Sequence, residues 1–221
     1  MKLLVVNASP RRERSLSRRL ATAFVAQWLA LRPHDAVFER NVGIDHPPLL
    51  TEAWIAACFT PEDQRTPAQR GVLAYSDAAI EELAQADVVV VATPRYNYGM
   101  PAALKAWFDQ VIRINRTFSF DPAERTWPLS PLLSDKKLVL LSASGEFSFH
   151  VGGIRESWEH LEPHVRTCAH YLGVAARDIH HVAIEYQEFG DERHRTSLQV
   201  ALEAAKALAS RLARVAAPQQ A

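Results

Sequence analysis

The chain has 221 residues, with 25 Lys or Arg balanced by 25 Asp or Glu, so its formal net charge at pH 7 is zero. This length is enough for one α/β domain with a sizeable core, and the balanced charge gives no argument for a nucleic-acid or membrane partner. No apolar run approaches the ~20 residues of a membrane span, and the apolar start at residues 1–6 is too short for a secretory leader.

Cysteine and histidine usage indicates neither disulfides nor a metal site. Cys58 and Cys168 lie far apart and form no Cys-x-x-Cys motif, which predicts reduced thiols and a cytoplasmic location. The nine histidines are scattered, and none has metal-ligand spacing. The one close pair, His180-His181, falls on a predicted strand, and we interpret it as structural.

The amino-terminal segment predicts a strand, a polar loop and a helix. Lys2 to Asn7 is a short apolar strand, and Ser17 to Leu31 carries apolar residues at helical spacing. The loop between them lacks the glycines of a Walker A or dinucleotide motif, which argues against a P-loop NTPase and a Rossmann pyrophosphate site. It is rich in hydroxyls and guanidinium groups, namely Ser9, Ser15, Ser17, Arg11, Arg12 and Arg14.

Such a loop admits two interpretations. A phosphate fits where the helix begins, because unpaired N–H groups and the positive end of the dipole point outward there. Alternatively, Ser15 or Ser17 only caps the helix and the arginines face water. Taken alone, the loop does not decide between them.

A weaker strand and a long connection follow. Asp35 to Asn41 is a weak second strand, and Asn41 to Gly71 is a long connection in which Trp54 to Phe59 fits one helical turn. Connections of this length are often functional or contact another subunit, although a plain surface excursion is equally simple. Pro67 to Ala86 is the second predicted helix.

The central stretch carries the strongest signal. Asp87 to Thr93 contains four consecutive valines, which is typical of a parallel strand buried on both faces. The loop Pro94 to Pro101 comes next, and Ala102 to Arg113 then has helical spacing. The loop holds two tyrosines and an asparagine and few acid–base groups, so it suits a flat heteroaromatic ligand better than hydrolysis.

The remaining chain continues the alternation. Residues 114–128 are predicted as a loop with three aromatics, and Ala143 to Gly153 is the second candidate ligand loop. We predict a fourth strand over Lys137–Ser142, a helix over Glu156–Leu172 that is broken or started at Pro163, a fifth strand within Val174–Glu185 and a closing helix over Asp191–Val215. No repeat or linker interrupts the chain, which indicates a single domain over residues 1–217 with a frayed tail over 218–221.

This pattern predicts an α/β fold, a flavodoxin-like doubly wound five-stranded parallel sheet of order 2-1-3-4-5 with helices on both faces. In this order, the loops after strands 1 and 3 open into one crevice at the switch point. A phosphate at one end and ring-binding residues at the other describe a mononucleotide such as FMN.

Five motifs carry a resemblance to a known family. They are Ser9-Pro-Arg11 with Ser15-Leu-Ser17, Pro94-Arg-Tyr-Asn-Tyr98, Pro101-Ala-Ala-Leu-Lys-Ala-Trp-Phe-Asp109, Asn115-Arg-Thr-Phe-Ser-Phe120 and Thr66-Pro-Ala-Gln69. In their order along the chain and in their spacing, these motifs resemble those of the flavodoxin-like, FMN-dependent NAD(P)H azoreductase and quinone reductase family. The resemblance spans nearly the whole chain, and its central motif is specific.

The resemblance implies the chemistry of a reductase. Non-covalent FMN would take hydride from NADH or NADPH and pass two electrons to a quinone or azo acceptor in a ping-pong scheme, with no protein acid or base as the catalytic group. It further implies a homodimer with the flavin at the subunit interface, to which the connection over residues 41–71 contributes. Sequence alone does not distinguish NADH from NADPH.

The resemblance also assigns roles to residues. The cofactor-binding set is Ser9, Arg11, Ser15, Leu16, Ser17, Pro94, Arg95, Tyr96, Asn97, Tyr98, Ala143, Ser144, Gly145 and Glu146. Candidates for the substrate pocket are Phe118, Phe120, Trp127, Phe147 and His150, for which packing or plain exposure is the alternative interpretation.

Two departures from the family pattern concern charge. Ala143-Ser-Gly-Glu146 replaces the usual Ser-Arg-Gly-Gly, so Glu146 brings a side chain close to the flavin, where a carboxylate would lower its potential. Arg95 replaces a common Met and would do the reverse. The sequence allows a pair between these two residues.

The same fold also serves a different class of protein. A flavodoxin-type electron carrier, or a flavin-binding sensor, would bind FMN without oxidising a nicotinamide. Carriers of this kind tend to be acidic, and the neutral charge of this chain argues against that alternative.

Overall fold

The structure, a computed structural model, describes residues 1–215. The predicted tail from Pro218 lies outside the described residues, and the single domain over 1–217 stays a prediction. The strands are β1 (Lys2–Asn7), β2 (Ala36–Arg40), β3 (Val88–Pro94), β4 (Phe118–Phe120), β5 (Leu129–Pro131), β6 (Lys136–Ala143) and β7 (Val174–Ile184). The α-helices are α1 (Leu16–Leu31), α2 (Glu52–Phe59), α3 (Pro67–Gln85), α4 (Ala102–Val111), α5 (Glu162–Tyr171) and α6 (Glu192–Val215).

The main sheet has five parallel strands in the order β2-β1-β3-β6-β7. β4 and β5 form a separate two-stranded sheet, so β6 and β7 are the fourth and fifth strands of the main sheet. The order is therefore the predicted 2-1-3-4-5, and the flavodoxin-like fold class is confirmed. The order reverses between β1 and β3, so the loops after these two strands diverge and leave a crevice between them.

Hydrophobic cores on both faces of the sheet explain the uninterrupted apolar strands. Val88 to Val91 are fully buried because alternate valines pack against different layers. On one face, Val89 and Val91 join side chains of α3, α4 and α5. On the other, Val88 and Val90 join α1 and α6.

Local sequence fixes where the helices begin. Thr66 and Gln69 form a complete capping box, in which each side chain accepts a hydrogen bond from the backbone N–H of the other, with Pro67 in the first turn. At α2, Thr51 Oγ1 accepts from Trp54 N–H at 3.1 Å. None of the helices within residues 1–215 is both long and apolar enough to cross a membrane.

The structure differs from the sequence prediction in three connections. Residues 114–128 are not simply a loop, because β4 pairs antiparallel with β5, Phe118 lying opposite Pro131. The helix in the long connection has eight residues and not one turn. The helix predicted from Glu156 is a 3-10 turn over Glu156–Trp158, after which α5 begins at Glu162, since Pro163 is favourable in a first turn.

Candidate functional site

The ends of the central strands create the candidate site. Pro94 is in register with Ala143, and Ala143 with Ile184, so β3, β6 and β7 end side by side. β1 ends at the same edge, where the Ala8 N–H donates to Ala92 O at 2.8 Å. The loops that follow these strands therefore meet at one edge, as predicted for those after β1 and β3.

Two adjoining cavities occupy this edge. The larger, of about 470 Å³, is lined by Ser9, Arg11, Arg14, Ser15, Leu16, Ser17, Pro94, Arg95, Tyr96, Ala143, Ser144, Gly145, Gln187, Glu188 and His194. The smaller, of about 170 Å³, is lined by Arg95, Asn97, Tyr98, Ser144, Gly145, Glu146, Phe149 and Glu188. Every residue of the predicted cofactor-binding set lines at least one of these two cavities. Arg95, Ser144, Gly145 and Glu188 line both, so the two cavities form one cleft.

The serines gather at the end of the cleft formed by the first loop. Ser15 is the N-cap of α1, its Oγ accepting from Arg18 N–H at 3.3 Å, and it lies 3.3 Å from the Ser17 Oγ. Ser9 Oγ accepts from Arg11 N–H at 3.2 Å. The three serines are at most 6% exposed. The cap interpretation of Ser15 is therefore correct, yet the same hydroxyl lines the cavity at a helix N-terminus, where an anion is favoured.

The arginines of this loop divide into two groups. Arg11 and Arg14 line the cavity, whereas Arg12 faces a groove on the other side of α1. Arg18, which the sequence analysis did not single out, braces the loop: it donates to Arg11 O and Ser9 O at 2.9 Å each. The loop is therefore held in shape by one guanidinium while two others carry positive charge into the cleft.

A tight turn presents the tyrosine-rich loop. Tyr96 and Gly99 exchange backbone hydrogen bonds of 3.1 and 3.0 Å, and Asn97 and Tyr98 between them have φ of 47° and 66°. Positive φ at both central residues is the signature of a type I′ turn, which asparagine tolerates well and tyrosine less so. Tyr96 remains 42% exposed, so its ring is available at the cleft.

The loop after β6 holds this turn from outside. The Tyr98 ring packs edge-on against Trp158, with centroids 4.8 Å apart, and obliquely against Phe149 at 6.2 Å. The N–H of His160 donates to Tyr98 O at 3.1 Å. These contacts constrain Tyr98 despite its unusual backbone angle, and Tyr98 thereby fixes the direction of the neighbouring Asn97.

The allowed pair between Arg95 and Glu146 does not form. Arg95 Nη1 lies 2.5 Å from Glu159 Oε2, although the direction is poor for a hydrogen bond. Glu146 Oε2 instead accepts from Arg155 Nε at 2.6 Å. Each charge is balanced by a residue of the 155–159 segment, which the sequence analysis placed at the start of a helix and did not consider as part of the site.

A third loop, after β7, completes the cleft and was missed from sequence. The N–H groups of Gln187 and Glu188 donate to Ser144 O and Gly145 O at 3.2 Å each. The Glu188 carboxylate lies against Gly145 so closely that a Cβ there would come within 2.5 Å of it. His194, in the first turn of α6, also lines the larger cavity. Because all parallel strands end at one edge, the end of β7 was the signal that could have located this segment.

The substrate-pocket candidates lie outside both cavities. Phe118 packs on Tyr171 with centroids 5.3 Å apart, and Trp127 Nε1–H donates to His170 Nε2 at 3.2 Å. Phe147 stacks on Tyr186 at 4.3 Å. Phe120, at 51% exposure, and the exposed His150 complete the set.

A partly buried polar chain lies beneath the second ligand loop. Glu162 Oε2 accepts from His181 Nδ1–H at 2.7 Å, and Ser142 Oγ–H donates to His181 Nε2 at 2.7 Å. The His181 hydrogen bond, above all, lowers the pKa of Glu162 to about 2. Ser142 is 2% exposed and lines neither cavity, so this chain joins β6, β7 and α5 and does not present a nucleophile. Within residues 1–215, no three His, Cys, Asp or Glu side chains are arranged to hold a metal.

Comparison with known proteins gives a consistent picture. The family described as having a flavodoxin-like fold matches residues 1–209. Over 198 residues, the chain is 49% identical to FMN-dependent NADH:quinone oxidoreductase 2 of Idiomarina loihiensis, covering 90% of this chain and 82% of that protein. It is 37% identical to FMN-dependent NAD(P)H:quinone oxidoreductase 1 of Pseudomonas aeruginosa, with 94% and 98% covered.

Solved structures agree on the fold. The crystal structure of azoreductase from Bacillus anthracis superposes with a TM-score of 0.84 at 25% identity, covering 96% of this chain and 99% of that one. The similarity therefore covers nearly the whole length of both chains.

Proposed function

The chain belongs to the flavodoxin-like family that includes FMN-dependent NADH:quinone oxidoreductases, and from this premise we propose that it is itself an FMN-dependent NAD(P)H oxidoreductase that reduces quinones, azo compounds or both. The observation that carries the proposal is the cleft at the strand ends, with buried hydroxyls at one end and a tyrosine-bearing turn at the other. The combined space lies within the usual range for small-molecule sites.

The first loop fits the FMN phosphate. Ser9, Ser15 and Ser17 supply hydroxyl donors, the first turn of α1 supplies free N–H groups, including that of Leu16, and Arg11 adds a positive charge. Arg14 and His194 extend this basic surface. The donor set therefore matches a dianionic group at the end of a small ligand.

The other two loops fit the isoalloxazine. Pro94, Tyr96 and Asn97 would bind one side of the ring, and Ala143, Ser144 and Gly145 would bind an edge through backbone groups. A side chain at Gly145 would displace the Glu188 carboxylate, which lies 2.5 Å from the position of a Cβ there. FMN held by these residues would supply the redox chemistry, which is hydride uptake from NADH or NADPH and two-electron reduction of the acceptor. The protein residues position the ring, limit access of water and set the electrostatics.

We also infer a homodimer in which the connection over residues 41–71 contacts the partner subunit. Apolar side chains in and beside this connection are exposed: Leu49 at 73%, Ile55 at 48%, Phe59 at 70% and Val72 at 38%. Large apolar side chains left exposed along one segment are typical of interaction surfaces. A cytoplasmic location is part of the proposal, and it is consistent with two free, buried thiols, Cys58 and Cys168, whose pKa values burial raises.

A visible spectrum of the purified protein tests the proposal. Flavin bands near ~370 and ~450 nm that bleach on anaerobic addition of NADH or NADPH, and return when a quinone is added, are the expected result and identify the donor. A flavin that stays oxidised with both nucleotides would favour a carrier or sensor. A colourless protein that takes up no added FMN would refute the cofactor assignment.

A further inference from the structure

Arg95 carries a buried positive charge at the ring end of the cleft. Its side chain is 4% exposed, and its partner Glu159 is 10% exposed. On another side, the guanidinium carbon lies 3.9 Å from the centroid of the Phe149 ring. The cation is thus held between a carboxylate and an aromatic face, and both interactions stabilise a charge that has lost its water.

The hydrogen-bonding capacity of this guanidinium is largely unused. Nε and Nη1 are enclosed, and neither makes an aligned hydrogen bond to any group within residues 1–215. A buried donor without an acceptor destabilises the folded protein. An unsatisfied buried cation beside a ligand cleft therefore indicates a functional role for its charge.

The cation lies nearer to the cleft than its counter-ion does. Arg95 lines both cavities, whereas Glu159 lines neither. The other charged groups at this end are Glu188, which lines both cavities, and Glu146, which Arg155 neutralises at 2.6 Å. The Arg95–Glu159 pair would therefore contribute positive potential to a ring bound here, against the negative charge of the Glu188 carboxylate.

We propose that Arg95 raises the reduction potential of the bound flavin and that Glu159 limits the increase. The inference rests on the proposed function, since it requires FMN in the cleft. Hydride from NAD(P)H delivers two electrons and one proton, and FMN that has gained only these carries one more negative charge than oxidised FMN. A neighbouring cation in a poorly solvated site favours that reduced form, and a neighbouring carboxylate opposes it.

The effect can be measured as a ratio of affinities. The potential of bound FMN depends on the ratio of the protein's affinity for reduced FMN to its affinity for oxidised FMN. A tenfold change in that ratio shifts the two-electron potential by about 30 mV. Arg95→Met removes the charge and leaves Glu159 unpaired, so we expect the ratio to fall at least tenfold. Glu159→Gln leaves the cation unopposed and should raise it by a similar factor.

The experiment compares the wild type with Arg95→Met, Glu159→Gln and the double variant, each loaded with FMN. Lys137→Met is the matched control, because it breaks the Lys137–Asp178 pair of 2.7 Å at the opposite end of β6, about 20 Å from the cleft. The midpoint potential is measured by dye equilibration at several pH values, and FMN affinity is measured separately by fluorescence quenching.

Opposite signs distinguish electrostatic tuning from a structural role. The potential should fall in Arg95→Met, rise in Glu159→Gln, lie slightly below the wild type in the double variant and stay unchanged in Lys137→Met. The slope of potential against pH halves where reduction takes up one proton instead of two, and this break should move to higher pH in Arg95→Met and to lower pH in Glu159→Gln.

Other outcomes would overturn the inference or its premise. If both single variants lose FMN affinity alike while their potentials match the wild type, the pair only holds the loop, and the inference is wrong. If Arg95→Met does not fold, the midpoint potential of Glu159→Gln still decides the inference. A rise supports it, and an unchanged or lower potential refutes it. If the wild type binds no FMN, the proposed function itself fails, which is a separate result.

Discussion

Ser17 is the hydroxyl whose removal tests the phosphate end most directly. It is 1% exposed, and within residues 1–215 its Oγ forms a hydrogen bond only with the Ser15 Oγ, whereas Ser15 also caps α1. A hydrogen bond to a charged group contributes about 1.5–3 kcal/mol, so Ser17→Ala should weaken FMN binding by roughly tenfold to a hundredfold. Fluorescence titration measures this. Ser210→Ala is the control: it removes from α6 a hydroxyl that accepts a hydrogen bond from Gln27 of α1, and it should leave the FMN affinity unchanged. An equal loss of affinity in the two variants would contradict the assignment.

The partly buried chain Ser142–His181–Glu162 predicts a pH dependence of stability. The folded protein lowers the pKa of Glu162 from 4.5 to about 2, first through the His181 hydrogen bond. A depressed carboxyl pKa contributes stability above the unfolded value and loses it as pH falls through the folded value. Glu162→Gln should therefore unfold more easily than the wild type at pH 7, by about 1–3 kcal/mol.

The difference in the free energy of unfolding between the wild type and Glu162→Gln should then narrow as pH falls from 4.5 towards 2. Urea unfolding at a series of pH values measures it. A gap that stays constant across that range would show that Glu162 acts through packing and not through its charge.

At the residue scale, the sequence located those site residues that lie in motifs next to strand ends. Ser9, Tyr96 and Gly145 follow apolar runs, so topology alone placed them together. Glu188 was missed because its segment has no motif and enters the cleft only through the pairing of β7 with β6. The partner of Arg95 was missed because an ion pair between loops depends on side-chain directions that residue spacing does not encode.

At the element scale, Gly173 controls the turn from α5 into β7. Its φ is +75°, and a Cβ would lie 2.0 Å from Leu133 O. Gly190 is a matched control, with φ of +63° and open space around it. Gly190→Ala should cost about 1–2 kcal/mol for the left-handed backbone, and Gly173→Ala should add roughly 1–3 kcal/mol of overpacking. Urea unfolding of both variants tests the ranking, and equal losses would refute the steric part.

Elements with a strong period were predicted, and short ones were not. The helices α1, α3 and α6 and the buried strands appear within one or two residues of their predicted limits, since each buries a continuous stripe or both faces. The hairpin β4–β5 escaped because each strand has three residues, and Phe118 opposite Pro131 leaves no alternating pattern to detect. Its pairing depends on contacts with α5, through Phe118 and Tyr171, that are distant in sequence.

For the whole molecule, strand order was the most informative prediction, because right-handed crossovers and one reversal leave few arrangements of five strands. Assembly follows from a different property. The homodimer that the family resemblance implies is supported by apolar side chains that the fold leaves exposed, with Phe59 at 70% and Ile55 at 48% exposure on α2. Within residues 1–215 both side chains lie outside the hydrophobic clusters, and we infer that a second copy of the chain removes them from water.

Phe59→Asp tests this arrangement. In a two-fold interface each substitution acts twice, and losing the burial of one large apolar side chain costs about 1.5–3 kcal/mol per subunit. The dimer dissociation constant should therefore rise by at least about a hundredfold, as measured by sedimentation equilibrium. Val200→Asp, at a 62% exposed position on α6, is the control and should leave the dimer intact. A wild type that is monomeric at micromolar concentration, or a Phe59→Asp dimer of unchanged strength, would place the subunit contact elsewhere or remove it, and the cleft would then have to bind FMN within a single chain.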